Sequence, residues 1–261
     1  MGWFDRWRRP RTPPLHVAID EGSGPVVVLV HGIASSSVTF ENLVPLLTDR
    51  HRVIAIDLLG FGESVAPESA TFTIEEHVDA LSDTLDALAL RSPFVLVGHS
   101  MGSLIASRYA ATHSKRVRKL VLVAPPVYVT PSALGDPVER AAMGLYLKAY
   151  EYLRTNKTFT MRNAAMLARL SPIKNVLEVS ERNWTAFVLS LEKAIESQTT
   201  VSDIASVKVP VEVVYGTLDP FLMPGGLRII EQMRHVTVHK VDGNDHLVRR
   251  RLARVIAVAV G

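Results

Sequence analysis

Val26-Val27-Val28-Leu29-Val30 is an unbroken apolar run, and a strand with no polar alternation has no face to offer to water. A strand of this kind is buried on both sides, which points to the interior of a parallel sheet with helices against each face. The pattern returns at Phe94 to Val97 and Leu120 to Val123, with shorter strand-like segments at Leu15 to Asp20 and Val53 to Ile56. Between them Phe40 to Leu47, Ile74 to Leu90 and Ser103 to Thr112 repeat apolar residues at helical spacing. Strand and helix in alternation predict right-handed βαβ units, so the expected class is α/β, a mostly parallel doubly wound sheet.

The alternation breaks at Ala124-Pro125-Pro126. From there to Thr200 the segments Glu139 to Thr155, Met161 to Leu170 and Glu181 to Ser197 all read as helical. Strands resume at Val211 to Tyr215 and Val236 to Val241, and a helix follows from Leu247. The expected organisation is a core over 15–126 and 201–261, an inserted helical cap over 127–200, and an N-terminal tail over 1–14.

That tail carries Arg6, Arg8, Arg9 and Arg11 with Trp3, Phe4 and Trp7, followed by Pro10, Pro13 and Pro14. Prolines so spaced suit an extended linker, and the aromatic-basic mixture suits a frayed tail or packing arm, a weak contact with a membrane surface being the alternative. The chain's formal charge is only +3, and no nucleic-acid-binding motif accompanies its basic clusters, so no nucleic-acid partner is expected. Cysteine is absent, which excludes a thiol nucleophile and thiolate metal sites. Nothing near the start resembles a signal peptide and no apolar run reaches membrane-spanning length, so the expected compartment is the cytoplasm. The histidines lack ligand spacing, and Gly60-Phe61-Gly62 has Val65 where a dinucleotide fingerprint needs a third glycine. Neither a metal nor another cofactor is expected, and composition leaves the oligomeric state open.

Gly98-His99-Ser100-Met101-Gly102 fits G-x-S-x-G between an apolar strand and a helix. In that context the serine stands on a sharp turn with its hydroxyl above the sheet edge, and the glycines remove collisions across the turn. Its hydroxyl needs a histidine base, itself oriented by a carboxylate, and both must come from loops at the same edge. Asp219 follows the Val211 strand and His246 follows the Val236 strand, which gives the order Ser100, Asp219, His246. Rivals exist for each partner. Asp219 before Pro220 also suits a helix start, and Asp242 and Asp245 are alternative partners for His246. His31 and His99 sit in motif positions governed by backbone packing and are read as structural.

Taken with His31-Gly32 and Asp57-Leu58-Leu59-Gly60-Phe61-Gly62-Glu63-Ser64, these motifs give the chain from Leu15 to Gly261 a resemblance to the α/β-hydrolase fold family, in its serine esterase and lipase-like branch. The resemblance implies catalytic Ser100, Asp219 and His246, an oxyanion hole of the backbone N–H groups of Ile33 and Met101, and a helical lid. Ser100 argues against branches that carry aspartate at the elbow, and Ser103 departs from the frequent Gly-Gly ending. Phe159, Met166, Trp184, Phe187 and Val188 are the expected pocket side chains, suited to an apolar acyl or aryl group. The expected substrate is therefore a small-molecule carboxylic ester cleaved through an acyl-enzyme. A carbon–carbon hydrolase of ring-cleavage diketones and a non-catalytic ligand-binding member are the alternatives.

Overall fold

The computed structural model describes residues 14–129, 136–174 and 176–261, so the tail's aromatic and basic cluster lies outside the described residues. Seven strands form one sheet: β1 (Val17–Glu21), β2 (Val26–Val30), β3 (Arg52–Ile56), β4 (Phe94–His99), β5 (Val117–Val123), β6 (Val211–Gly216) and β7 (Val236–Val241). Their order across the sheet is β1-β3-β2-β4-β5-β6-β7, and every pairing is parallel except β1 with β3. The unbroken apolar strands occupy the centre, and β2 and β4 are almost wholly buried.

Each face of the sheet has its own core. On one side α2 (Ile74–Ala87) and α3 (Met101–Thr112) pack over Val28, Val30, Leu96 and Leu122. On the other, α1 (Val44–Leu47) and α9 (Arg250–Val260) cover Val27, Leu29, Val95 and Val97. Alternate residues of one strand thus feed opposite cores, as the two-residue period of a strand requires. Helix α2 begins cleanly because Thr73 accepts a hydrogen bond from the N–H of Glu76.

No strand interrupts the chain between β5 and β6 among the described residues. Instead come α4 (Pro137–Thr155), α5 (Lys157–Leu170), α6 (Trp184–Ser190) continued by a π-helical turn at Leu191–Glu196, and α7 (Thr200–Ser206). Helix α8 (Pro224–Glu231) lies between β6 and β7. The periodic stretch Phe40 to Leu47 resolves into a 3₁₀ turn at Ser37–Phe40 and the single turn of α1, with Pro45 in its first turn. Among the described residues no helix is long and apolar enough to cross a membrane.

Candidate active site

Ser100 lies between β4 and α3 with φ of 54°, a left-handed conformation that costs a non-glycine residue energy and that tight packing must hold in place. The flanking glycines permit it. A Cβ on Gly98 would come within 2.3 Å of the Gly102 carbonyl oxygen, and one on Gly102 within 2.3 Å of the Val30 oxygen. Ser103 helps close the turn, its hydroxyl donating to the Gly98 carbonyl at 2.7 Å.

The loop after β2 passes directly beside the serine, for a Cβ on Gly32 would fall 2.8 Å from Ser100 Cβ. His31 secures that loop. It is fully buried, its Nδ1 is 2.7 Å from the Gly32 oxygen, and its Nε2 accepts the N–H of Leu58 at 2.8 Å. Asp57 fastens the next turn by accepting from the N–H and hydroxyl of Ser37 and from the N–H of Glu63. Burial raises the Asp57 pKa, but these bonds and the neighbouring His16 and His31 outweigh it, and the net shift is downward. Ile33 is thereby fixed near Ser100, while Met101, as the first residue of α3, has no carbonyl one helical turn back to receive its N–H.

Asp219 follows β6 and His246 follows β7. His246 Nδ1 stands 2.7 Å from Asp219 Oδ2, and the Asp219 side chain is fully buried. The second carboxylate oxygen accepts the N–H of Phe221 at 2.9 Å, so the Asp219-Pro220 turn and the histidine share one carboxylate. Asp245 is engaged elsewhere, with Arg249 and the N–H of Leu247, and Asp242 is exposed. Ser100 itself is buried, and among the described residues no hydrogen bond joins its Oγ to His246 Nε2.

His99 connects the elbow to the histidine loop. Its Nε2 donates to the His246 carbonyl at 2.9 Å and its ring lies 4.9 Å from that of His246, while its buried Nδ1 has no partner among the described residues. Burial first, then the neighbouring His246, pushes the His99 pKa down to about 3, so the ring stays neutral. Phe221 packs edge-on against His246 at 4.8 Å between centroids.

Three further side chains at this edge escaped the sequence reading. The hydroxyls of Tyr128 and Tyr150 meet at 2.5 Å, and the Tyr146 ring lies 6.2 Å from that of Tyr128. Burial raises both hydroxyl pKa values, with the Asp219 charge adding to the shift, and Tyr150 reaches about 12. The available signal was the position of Tyr128, just after β5 and hence at the same sheet edge.

The expected pocket side chains separate. Phe187 is buried and Trp184 and Val188 are partly buried on α6, with Lys157 Nζ 5.7 Å from the Trp184 ring centroid. Phe159 and Met166 instead stand half-exposed on α5, because the buried positions of that helix fall at Thr160 and Ala164. Among the described residues no three His, Asp or Glu side chains converge to hold a metal ion.

Residues 25–248 match the model of the alpha/beta hydrolase fold family. Among curated proteins, the chain is 35% identical over 147 residues to the probable lysophospholipase BODYGUARD 4 of Arabidopsis thaliana, covering 52% of this chain and 35% of that protein. It is 34% identical over 120 residues to haloalkane dehalogenase 2 of Mycobacterium bovis, covering 46% of this chain and 40% of that one. The matched segments thus span well under half of these relatives. Among solved structures, the enol-lactonase from Burkholderia xenovorans LB400 superposes with a TM-score of 0.74 at 22% identity, over 94% of each chain.

Proposed function

Since the chain belongs to the alpha/beta hydrolase fold family, we propose that it is a serine hydrolase that cleaves carboxylic esters of apolar acyl or aryl groups. The observation that carries this reading is the 2.7 Å contact between His246 Nδ1 and Asp219 Oδ2, on the sheet edge where Ser100 forms the elbow. With Nδ1–H donated to Asp219, Nε2 is left as the basic nitrogen. Ser100 Oγ attacks the ester carbonyl carbon as its proton passes to Nε2, and the backbone N–H groups of Ile33 and Met101 receive the developing oxyanion. Collapse of the tetrahedral intermediate expels the alcohol, which takes the proton from His246. A water molecule then repeats the sequence on the acyl-enzyme and releases the acid. Hydrogen bonds between nucleophile and base are often long before substrate binds and tighten when it does.

Chemistry also separates this reading from that of the dehalogenase relative. A serine displacing halide would leave an ether on the enzyme, which water does not cleave, whereas an acyl ester on Ser100 turns over. Helices α4 to α6 would form the cap, with Trp184, Phe187 and Val188 as its substrate-facing side chains.

The test is hydrolysis of p-nitrophenyl acetate, butyrate and octanoate by wild type and Ser100→Ala, with intact-mass detection of an acyl adduct. Wild type should show a burst and an adduct, and the variant should lose about four orders of magnitude in kcat. Turnover of a ring-cleavage diketone with negligible ester turnover would overturn the ester assignment.

A further inference from the structure

Helices α4 and α5, joined through Asn156, carry exposed apolar side chains where a solvent-facing helix is normally polar. On α4, Val138, Leu145 and Tyr152 recur every seven residues, and Val138 and Leu145 are 76% and 69% exposed. On α5, Phe159 and Met166 repeat that interval and Leu170 follows at 77% exposure. Residues seven apart lie nearly on one line along a helix, so each helix carries an apolar stripe. The stripes join where the Tyr152 and Phe159 rings meet edge-on at 5.2 Å. Exposed apolar side chains are ordinary singly, but two stripes that meet at a ring contact mark a surface that is covered in use.

The charge beside the stripes selects what covers them. Residues 137–174 hold seven basic residues and two acidic ones, more positive charge than the whole chain's formal +3. Of the two acids, Glu139 is engaged by Arg228 at 2.6 Å. Arg154 pairs with Glu196 and Lys157 with Glu181, whereas Lys148, Arg162 and Arg169 are exposed and make no ion pair among the described residues. Arg162 and Arg169 follow Phe159 and Met166 by three residues each, which sets them along the edge of the α5 stripe. A second copy docked through the same face would bring these cations against themselves. Long basic side chains bordering an apolar stripe instead match a lipid boundary, where the apolar groups enter the acyl region and the cations reach anionic headgroups.

We propose that the exposed apolar side chains of α4 and α5, with their bordering cations, form a docking surface for anionic lipid bilayers. Tyr150, whose hydroxyl meets that of Tyr128 close to the Phe221 carbonyl, is buried on α4 while Val138 and Leu145 of the same helix are exposed. Docking would therefore hold the candidate site about one helix diameter, roughly 10 Å, beneath the membrane surface. The proposal concerns binding and stands apart from the ester reading.

Its test is co-sedimentation of the full chain with vesicles of phosphatidylcholine alone or with phosphatidylglycerol as the minor component. Binding should need phosphatidylglycerol, weaken with added salt, and survive removal of residues 1–11. Arg162→Gln and Arg169→Gln should each weaken it about fivefold, and Leu145→Ser combined with Leu170→Ser about tenfold or more. Thermal unfolding of each variant checks its fold, and the two glutamine substitutions keep the test informative if the serine pair is poorly folded. Absence of binding to phosphatidylglycerol vesicles would overturn the proposal, as would binding insensitive to the α4 and α5 substitutions. A wild-type dimer by light scattering that Leu145→Ser with Leu170→Ser returns to monomer would assign the face to a second copy instead.

Discussion

Asp219 meets His246 through Nδ1 and so governs which ring nitrogen keeps its proton. Asp219→Asn would retain the shape but offer an amide donor to Nδ1, moving the proton to Nε2 and removing the base. Under the proposed mechanism kcat should fall by about 10⁴ with the fold intact, read by steady-state kinetics beside thermal unfolding. The placement of Ser100, Asp219 and His246 was legible from sequence because each follows a strand, and the ends of parallel strands gather at one edge. The carboxylate rivalry was not. Asp242, Asp245 and Asp219 are equivalent as letters, and the structure separates them by contact: Asp219 meets His246, Asp245 pairs with Arg249, and Asp242 is exposed. Tyr150 was hidden for a related reason, since one residue of a 19-residue helix acquires a role only when the helix docks against Tyr128.

Among the elements, two glycines carry opposite expectations. Gly60 has φ of 78°, and a Cβ there would fall 2.6 Å from Ala186 Cβ on α6 and 2.7 Å from Phe72 Cε1. Gly60→Ala should therefore destabilise by about 1–3 kcal/mol, combining backbone strain with overpacking. Gly144 lies inside α4 with open space around its would-be Cβ, so Gly144→Ala should stabilise by about 0.5–1 kcal/mol. Urea midpoints at fixed m-value would read both. A second tie is the N–H of Glu178, in the loop before α6, donating to the Ala34 carbonyl at 2.7 Å, next to Ile33. The long central elements were legible because their apolar period spans many residues. Helix α7 is short and polar, and α8 begins Pro-Gly-Gly, so neither declares itself by composition. The antiparallel direction of β1 was equally unreadable, because a five-residue strand pairs either way and its partner decides.

At the scale of the whole molecule, buried neutral histidines set the response to acid. His77, whose Nε2 faces Ser190 Oγ at 3.1 Å, and His99 are both pushed down to about 3, by burial above all. An unfolded chain protonates these rings near pH 6.5, whereas the folded protein does not until about pH 3. Between those limits the unfolded state binds more protons, so stability falls as pH falls, by up to about 1.4 kcal/mol per pH unit for each ring. Above pH 6.5 neither ring contributes to the slope. Urea midpoints at pH 7, 5.5 and 4.5 should decline accordingly, and His77→Gln should make the decline shallower by one proton. The sheet has a different consequence, one of inheritance. Strands β5 and β6 pair directly, Leu120 with Val211 and Val123 with Val214, whatever the chain does between them. Closing a longer or shorter excursion costs free energy only as the logarithm of its length. A lineage carrying this sheet can therefore lose, lengthen or exchange the helices between these two strands while the turn after β4 passes unchanged to its descendants.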